Sequence, residues 1–181
     1  MSDKNIEDIE LISQFLAGNE AAFNLLARKY RKRIYWQARR MVGNHADADE
    51  IAQEVLLVMF KKLDTFKGKS SLSTWIYKIT SSRSLNLIKK RKIKEFLPME
   101  FFLHKRNNED IVKNYEDREK LNDVEKLLTT LPLKQREVFV LRHFEELSYK
   151  EISEITGQSI GALKANYFHA LKKVLGKMDN E

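Results

Sequence analysis

Clustered carboxylates are the first residues of this chain that could do chemistry. Asp47, Glu50 and Glu54 follow one another at intervals of three and four, which places them on one face of a helix. Asp47, Asp49 and Glu50 could in principle hold Mg²⁺, but one helix offers ligands from one side only, which is too one-sided for a two-metal nuclease. Acidic residues early in a helix also suit the positive end of its dipole, so stabilisation of the helix alone remains an alternative.

Most other catalytic chemistry has no residues to support it. The 181 residues include no cysteine, and the four histidines lack the spacing of a metal site. These facts exclude disulfides, thiolate zinc sites and cysteine nucleophiles, and the sequence has no GxxxxGK loop for a nucleotide phosphate. We therefore expect no catalytic residue, no metal and no cofactor, in a protein that is not an enzyme.

Basic residues point to a polyanionic partner. Lys and Arg number 33 against 26 Asp and Glu, a formal net charge of +7 that favours nucleic acid. Residues 67–94 contain no carboxylate and join a basic loop, residues 67–74, to an aromatic helix. Single-stranded nucleic acid requires this combination, with cations for phosphates and rings or pockets for unstacked bases.

Trp75 taken alone fits a helical core better than a stacking platform. Residues 28–40 are also basic, either as a solvated face or as a phosphate-facing one.

Helices must position these groups, because few residues of the chain break helices. With 6 glycines, 2 prolines and 43% hydrophobic residues, we expect an all-α fold. Asn19 and Gly43 are expected to bound the second helix. The apolar stripe predicted for the first helix is Ile6, Ile9, Ile12 and Phe15. The third helix, residues 46–63, has apolar residues at steps of four, namely Ile51, Val55, Met59 and Leu63.

The C-terminal part of the sequence predicts a helix-turn-helix. Ser148 and Glu151 have the spacing of a capping box, Gly157 supplies a turn, and Ser159 is placed to cap a final helix. The inward stripe of that helix is Leu163, Tyr167, Leu171 and Val174. The alternative is a plain helical hairpin with a solvated basic face.

The outward side of the final helix is expected to contact double-stranded DNA. Residues 157–178 contain no carboxylate. In a helix-turn-helix, the N-terminal part of the second helix enters the major groove. The residues there that are expected to meet base edges are Ala162, Lys164, Ala165 and Asn166. Lys172 and Lys173 lie farther along the helix and are expected to meet phosphates.

Three segments of the chain resemble a known family. They are DADEIAQEVLLVMFKKLDTF at residues 47–66, STWIYKITSSRSLNLIKKRK at residues 73–92, and LPLKQREVFVLRHFEELSYKEISEITGQSIGALKANYFHALKKV at residues 131–174. Together they look like a bacterial RNA polymerase sigma factor of the extracytoplasmic-function (ECF) subfamily. Finding both halves in this order is far more specific than finding a helix-turn-helix alone.

The resemblance implies two small helical domains joined by a flexible linker. Residues 1–93 would be sigma domain two, which docks on polymerase and recognises and melts the minus-ten element. Residues 94–118 would be the linker. Residues 119–181 would be sigma domain four, whose helix-turn-helix recognises the minus-thirty-five element.

The resemblance also implies three sets of site residues. The polymerase-docking residues would be Asp47, Asp49, Glu50, Gln53 and Glu54. The residues that bind the minus-ten element would be Lys67, Lys69, Ser70, Ser71, Ser73, Thr74, Lys78, Arg83, Asn86 and Lys90. The residues that bind the minus-thirty-five element would be Ser159, Ala162, Lys164, Ala165, Asn166, His169, Lys172 and Lys173.

The partners implied by the resemblance are core RNA polymerase, through its largest-subunit coiled coil and its flap region, then promoter DNA and an anti-sigma factor. The acidic N-terminus and the lack of an apolar run of about 20 residues argue against a signal peptide or a membrane span, so we expect a cytoplasmic protein. A repressor or response-regulator output domain is the main rival. It would use the same C-terminal helices but would leave the N-terminal half unexplained.

Overall fold

The structure is a computed structural model that describes residues 3–95 and 124–178. These residues form helices and turns without a β-strand, which confirms the all-α prediction. The N-terminal half contains α1 (Asp3–Leu16), α2 (Glu20–Val42), α3 (His45–Lys62), a 3-10 turn (Leu63–Thr65) and α4 (Leu72–Glu95). The C-terminal half contains α5 (residues 124–130), α6 (Leu133–Phe139), a π-helical turn (Val140–Phe144), α7 (Tyr149–Thr156) and α8 (Ile160–Met178).

The ends of the helices follow local signals in the sequence. The Asn19 side chain accepts the backbone N–H of Ala21 at the start of α2, and Gly43 ends that helix with φ +83°, as predicted. Helix α4 continues to Glu95, so the first two residues of the predicted linker, residues 94–118, are helical. The rest of that linker lies outside the described residues.

The N-terminal half has one core, shared by α1 to α4. The stripe predicted for α3 is confirmed, since Ile51, Val55, Met59 and Leu63 are all buried. Ile9, in contrast, is exposed, so the stripe predicted for α1 is wrong at this position. Helix α1 contacts the core through Ile12, together with the half-buried Leu11 and Phe15.

The C-terminal half is a helix-turn-helix packed on two further helices. Ser148 and Glu151 form both hydrogen bonds of the capping box, and Gly157 has φ +70°. The Ser159 hydroxyl accepts the backbone N–H of Ala162 at 3.3 Å. Leu163 of α8 is buried against Ile152 of α7. The predicted helix-turn-helix is therefore confirmed.

The two halves pack against each other through buried side chains. Met41 from α2 lies in one apolar cluster of the C-terminal half, and Tyr77 from α4 lies in another. The buried guanidinium of Arg136 in α6 donates to the carbonyl of Met41 at 2.5 Å and also to the carbonyls of Thr129 and Leu131. Because the last carbonyls of a helix have no partner within it, Arg136 closes the C-terminal end of α2 from the other half of the chain.

Candidate functional site

An acidic surface runs along the exposed side of α3. Asp49, Glu50, Gln53 and Glu54 are all exposed, as a docking surface requires. Two exposed apolar residues, Leu57 and Phe60, follow Gln53 at intervals of four and seven and therefore continue the same side. Leu57 and Phe60 were not among the predicted docking residues, although their helical spacing from Gln53 is visible in the sequence.

Asp47 does not belong to this acidic surface. Asp47 is only 3% exposed. Its backbone N–H donates to the Asn44 side-chain oxygen at 2.9 Å, and its carboxylate accepts the Asn44 side-chain amide at 2.7 Å. The carboxylate also forms an ion pair with Arg91 of α4. The prediction that Asp47 shares an accessible face with Glu50 and Glu54 is wrong, because Asp47 is buried in the first turn of α3. Asn44 caps the helix there, and the Asp47 carboxylate is the counter-ion of Arg91.

The basic run of α2 is divided by packing. Arg31, Lys32 and Arg33 are exposed, but Arg39 is buried. Lys29 forms ion pairs of 2.7 Å with both Glu7 and Asp8 of α1. An open groove of about 440 Å³ lies between α2 and α3, and its lining is Arg28, Arg31, Lys32, Tyr35, Asp49 and Ala52. The exposed cations of α2 thus border the acidic surface of α3.

The loop before α4 presents cations around a cluster of hydroxyls. Lys67 and Lys69 are exposed on either side of Gly68, which has φ +66°. The Ser71 hydroxyl accepts the backbone N–H of Thr74 at 3.1 Å and lies 2.8 Å from the hydroxyls of Ser73 and Thr74. Ser71 therefore caps α4 in the manner of a helix N-cap.

Thr74 is buried beneath this loop, with only 5% of its surface exposed. The prediction that Thr74 is available to DNA is therefore wrong, because its hydroxyl bonds to Ser71 and its backbone lies in the first turn of α4. Trp75 is half-buried against the N-terminal core, with its ring 5.9 Å from that of Phe66. This position confirms the core interpretation of Trp75.

Helix α4 has an exposed basic side and a covered side. Lys78, Asn86 and Lys90 are exposed and follow at intervals of eight and four, which keeps them on one side of the helix. Arg83 is half-exposed and turns toward α3, where it lies 3.6 Å from Glu54. The opposite side, including Tyr77 and Ser81, is buried under the C-terminal half.

Two ionisable side chains are buried where α4 meets the C-terminal half. Burial raises the pKa of Tyr77, and the charge of Glu145 and its hydrogen bond to Tyr77 raise it further. Burial also raises the pKa of Glu137, while a hydrogen bond from Ser81 and the charge of Lys89 oppose that rise. The Ser81 hydroxyl in turn accepts the amide of Gln37 from α2 at 3.1 Å. Polar contacts therefore link α2, α4 and α6.

Helix α8 presents most of its predicted DNA-binding residues to solvent. The exposed residues of that set are Ser159, Ala162, Lys164, Ala165, His169, Lys172 and Lys173. Asn166 is half-buried, and its amide donates to Gln158 at 3.1 Å. Phe168 is 62% exposed, and its ring contacts the His169 ring edge-on, with the ring centroids 5.8 Å apart.

Metal and membrane features are lacking in the residues that the structure describes. Residues 3–95 and 124–178 contain no group of three acidic or histidine side chains arranged to hold a metal ion. Over the same ranges, no helix combines the length and the apolar character needed to cross a bilayer.

Two family models match the chain, one in each half. The model for Sigma-70 region 2 matches residues 26–93, and the model for Sigma-70 region 4 matches residues 121–174. The ECF RNA polymerase sigma factor SigW of Bacillus subtilis is 30% identical over 175 residues, covering 92% of this chain and 93% of that protein. The chain belongs to the ECF RNA polymerase sigma factors.

Other ECF sigma factors are similar over nearly their whole length. The sigma-E factor of Escherichia coli K12 is 25% identical over 184 residues, covering 97% of this chain and 96% of that protein. Among solved structures, CnrH in complex with the cytosolic domain of CnrY has a TM-score of 0.72 at 22% identity and covers 97% of this chain and 99% of that one. RpoE in complex with the anti-sigma factor NepR from Bartonella quintana has a TM-score of 0.69 at 21% identity, covering 87% and 96%. These structures share the fold of this ECF sigma factor.

Proposed function

We propose that this ECF sigma factor recruits core RNA polymerase to specific promoters and starts transcription there. The observation that carries the proposal is the separation of charge over the described surface. Exposed acids lie on α3, whereas the loop before α4, α4 itself up to Lys94, and α8 contain no carboxylate. One protein thus presents a surface for a basic or polar protein partner and two surfaces for nucleic acid.

The acidic surface of α3 is proposed to dock on the coiled coil of the largest polymerase subunit. Asp49, Glu50, Gln53 and Glu54 provide the polar contacts, and the exposed Leu57 and Phe60 provide an apolar contact beside them. Large aromatic side chains that become buried carry much of the binding energy of such interfaces, while surface charges mainly set orientation and rate. The flap region of polymerase is proposed as a second contact.

The loop before α4 is proposed to capture melted bases of the minus-ten element. Lys67 and Lys69 can neutralise phosphates there, and the hydroxyls of Ser70, Ser71 and Ser73 can bond to an unstacked base. The exposed residues Lys78, Asn86 and Lys90 extend this surface along α4. Capture of a flipped base offsets part of the free energy needed to open the duplex.

Helix α8 is proposed to read the minus-thirty-five element from the major groove. Ala162, Lys164 and Ala165 are exposed near its N-terminus, which is the part of a recognition helix that meets base edges. Phe168 adds an exposed apolar ring that can contact a thymine methyl group. Lys172 and Lys173 lie farther along and contribute phosphate contacts that carry no sequence information.

The proposed domains are residues 1–93 and 119–181, joined by a linker over residues 94–118. The matched ranges 26–93 and 121–174 support this division. Two weak DNA contacts held on one polymerase gain from effective concentration, so neither domain needs to bind tightly by itself. The proposal includes a cytoplasmic location. It also includes an anti-sigma factor as the regulator, which is supported by the complex of RpoE with the anti-sigma factor NepR.

In vitro transcription tests the proposal most directly. Purified full chain and core polymerase are incubated with a promoter library, and the transcripts and their start sites are sequenced. We expect initiation at a subset of promoters that share two elements, and no initiation from either component alone. A chain that binds a double-stranded operator tightly without polymerase, and leaves initiation unchanged, would instead fit a repressor.

A further inference from the structure

Two side-chain amides meet at the turn of the helix-turn-helix. The Asn166 amide nitrogen, in the second turn of α8, donates to the Gln158 side-chain oxygen at 3.1 Å. Gln158 lies in the three-residue turn between α7 and α8, and both side chains are half-buried. The turn residue is therefore joined to the recognition helix through side chains as well as through the backbone.

The backbone of Gln158 is held in place from α7. Its carbonyl accepts the Ser153 hydroxyl at 2.7 Å, and its N–H donates to the Thr156 hydroxyl at 3.3 Å. Gly157 takes the left-handed conformation immediately before it, and Ser159 caps α8 immediately after it. A side chain mounted on such a fixed backbone loses little further freedom when it binds a ligand.

The hydrogen bond between the two amides fixes which of their atoms remain available. Asn166 donates one side-chain N–H to the Gln158 oxygen, so the Asn166 side-chain oxygen remains available as an acceptor for a ligand. The Gln158 side-chain nitrogen, with two N–H groups, has no hydrogen-bond partner among the described residues. The pair therefore presents one amide donor group and one amide acceptor at the N-terminal end of the recognition helix.

This donor and acceptor match the edge of adenine. In the major groove adenine offers N7 as an acceptor and the N6 amino group as a donor, and amide side chains read it through these two atoms. The Gln158 nitrogen suits N7 and the Asn166 oxygen suits N6. Guanine offers two acceptors at the same edge and would leave the Asn166 oxygen facing another oxygen.

We infer that Gln158 and Asn166 act as one unit that reads an adenine in the upstream promoter element. The inference rests on the proposed function of α8 and deepens it, because it assigns a base to a turn residue outside the predicted set. In this arrangement Asn166 both contacts the base and positions Gln158. Neither amide reads the base effectively without the other.

The test uses the full chain with core polymerase and a library in which each upstream base pair is randomised. Gln158→Ala and Asn166→Ala are each expected to lose about 5- to 100-fold of the preference for adenine at one and the same position. The double variant is expected to lose no more than either single variant, because contacting residues that act together are not additive. Lys172→Ala is the control and is expected to weaken all sequences alike.

Gln158→Glu separates base reading from a merely structural role. The glutamate still accepts the Asn166 N–H but has no N–H for adenine N7, so it is expected to lose the adenine preference while the thermal unfolding midpoint stays near that of the wild type. Retention of the preference by Gln158→Glu would overturn the inference, as would losses at two different positions or an equal loss on every sequence. If the wild-type protein itself showed no upstream preference, the proposed function of α8 would fail and this inference with it.

Discussion

Arg39 of α2 and Glu125 of α5 form a 2.8 Å ion pair that joins the two halves of the chain. Each side chain is only 7% exposed. Burial raises the pKa of Glu125, and the charge of Arg39 opposes that rise. The Nε and Nη1 atoms of Arg39 are buried without a hydrogen-bond partner among the described residues, so Glu125 is the group that compensates for this buried charge.

Removal of Glu125 alone should therefore be more damaging than removal of the pair. We expect Glu125→Ala to lower the free energy of unfolding by about 3–5 kcal/mol, because it leaves a buried guanidinium without its carboxylate. The double variant Arg39→Met with Glu125→Met should recover most of that loss. Chemical denaturation of the full chain measures both values. A double variant as unstable as Glu125→Ala would contradict the explanation by buried charge.

Charge reversal on α3 should abolish polymerase binding without unfolding the protein. We expect Glu50→Lys with Glu54→Lys to eliminate co-purification with core polymerase, since both carboxylates are exposed on the proposed docking surface. The loss of the half-exposed pair between Glu54 and Arg83 should cost only about 0–1 kcal/mol. The control is Glu10→Lys, an exposed acid on α1 that should leave binding intact. Equal binding of polymerase by the double variant and by the control would contradict the proposal that α3 docks on polymerase.

Asp47 should behave differently from its two neighbours. Its carboxylate accepts the Asn44 amide and pairs with Arg91, so Asp47→Ala should lower the thermal unfolding midpoint. Polymerase affinity, corrected for the folded fraction, should change little because the residue is buried. Circular dichroism melting and a pull-down on the same sample measure the two effects. If Asp47→Ala kept the wild-type unfolding midpoint but lost polymerase binding, Asp47 would belong to the docking surface after all.

The two loop lysines should set part of the salt dependence of bubble capture. With Lys67→Gln and Lys69→Gln, the slope of log affinity against log salt for single-stranded non-template DNA should decrease in magnitude by about 1.4, since each phosphate contact contributes about 0.7. Fluorescence anisotropy with the sigma factor bound to core polymerase measures this slope. Lys61→Gln with Lys62→Gln, two exposed lysines at the end of α3, is the matched control. If both pairs changed the slope equally, the loop would have no special role.

Glu137 should give the protein a pH-dependent stability. Burial holds its folded pKa above the ordinary value of 4.5, so the folded state binds a proton more readily than the unfolded state does. The ionised carboxylate therefore destabilises the fold at neutral pH, and this effect disappears as the pH falls through the folded pKa. Glu137→Gln keeps an acceptor for Ser81 and should be more stable than the wild type at pH 7.5, with the difference narrowing toward pH 5. Thermal melts across this range decide it, and a difference independent of pH would refute the assignment.

Local signals made the helix ends and the helix-turn-helix predictable. Asn19, Gly43 and the pair Ser148 and Glu151 act within three or four residues of their own position, so the sequence alone contains the whole interaction. The stripe of α3 was likewise predictable because apolar residues at steps of four share one face wherever the helix lies.

The remaining features depend on packing between distant segments. Periodicity places Asp47 beside Glu50 on a helix, but only the position of α4 turns Asp47 toward Arg91. In the sequence, Arg39 is one more cation of a basic helix face. Only the folded structure shows that it pairs with Glu125 of α5. No local pattern links residues so far apart in the chain. The amide pair of Gln158 and Asn166 was missed for a related reason, since it spans a turn and joins residues outside any helical repeat.

Arg136 has a practical consequence for work on isolated halves. A fragment that stops near Glu95 would expose the apolar surface of Met41 and leave the Met41 carbonyl, near the end of α2, to be hydrated by water. A fragment that starts near residue 124 would keep the same guanidinium with one acceptor fewer. Constants measured on the separate pieces describe surfaces that the intact polypeptide hides, and they need not combine into its behaviour.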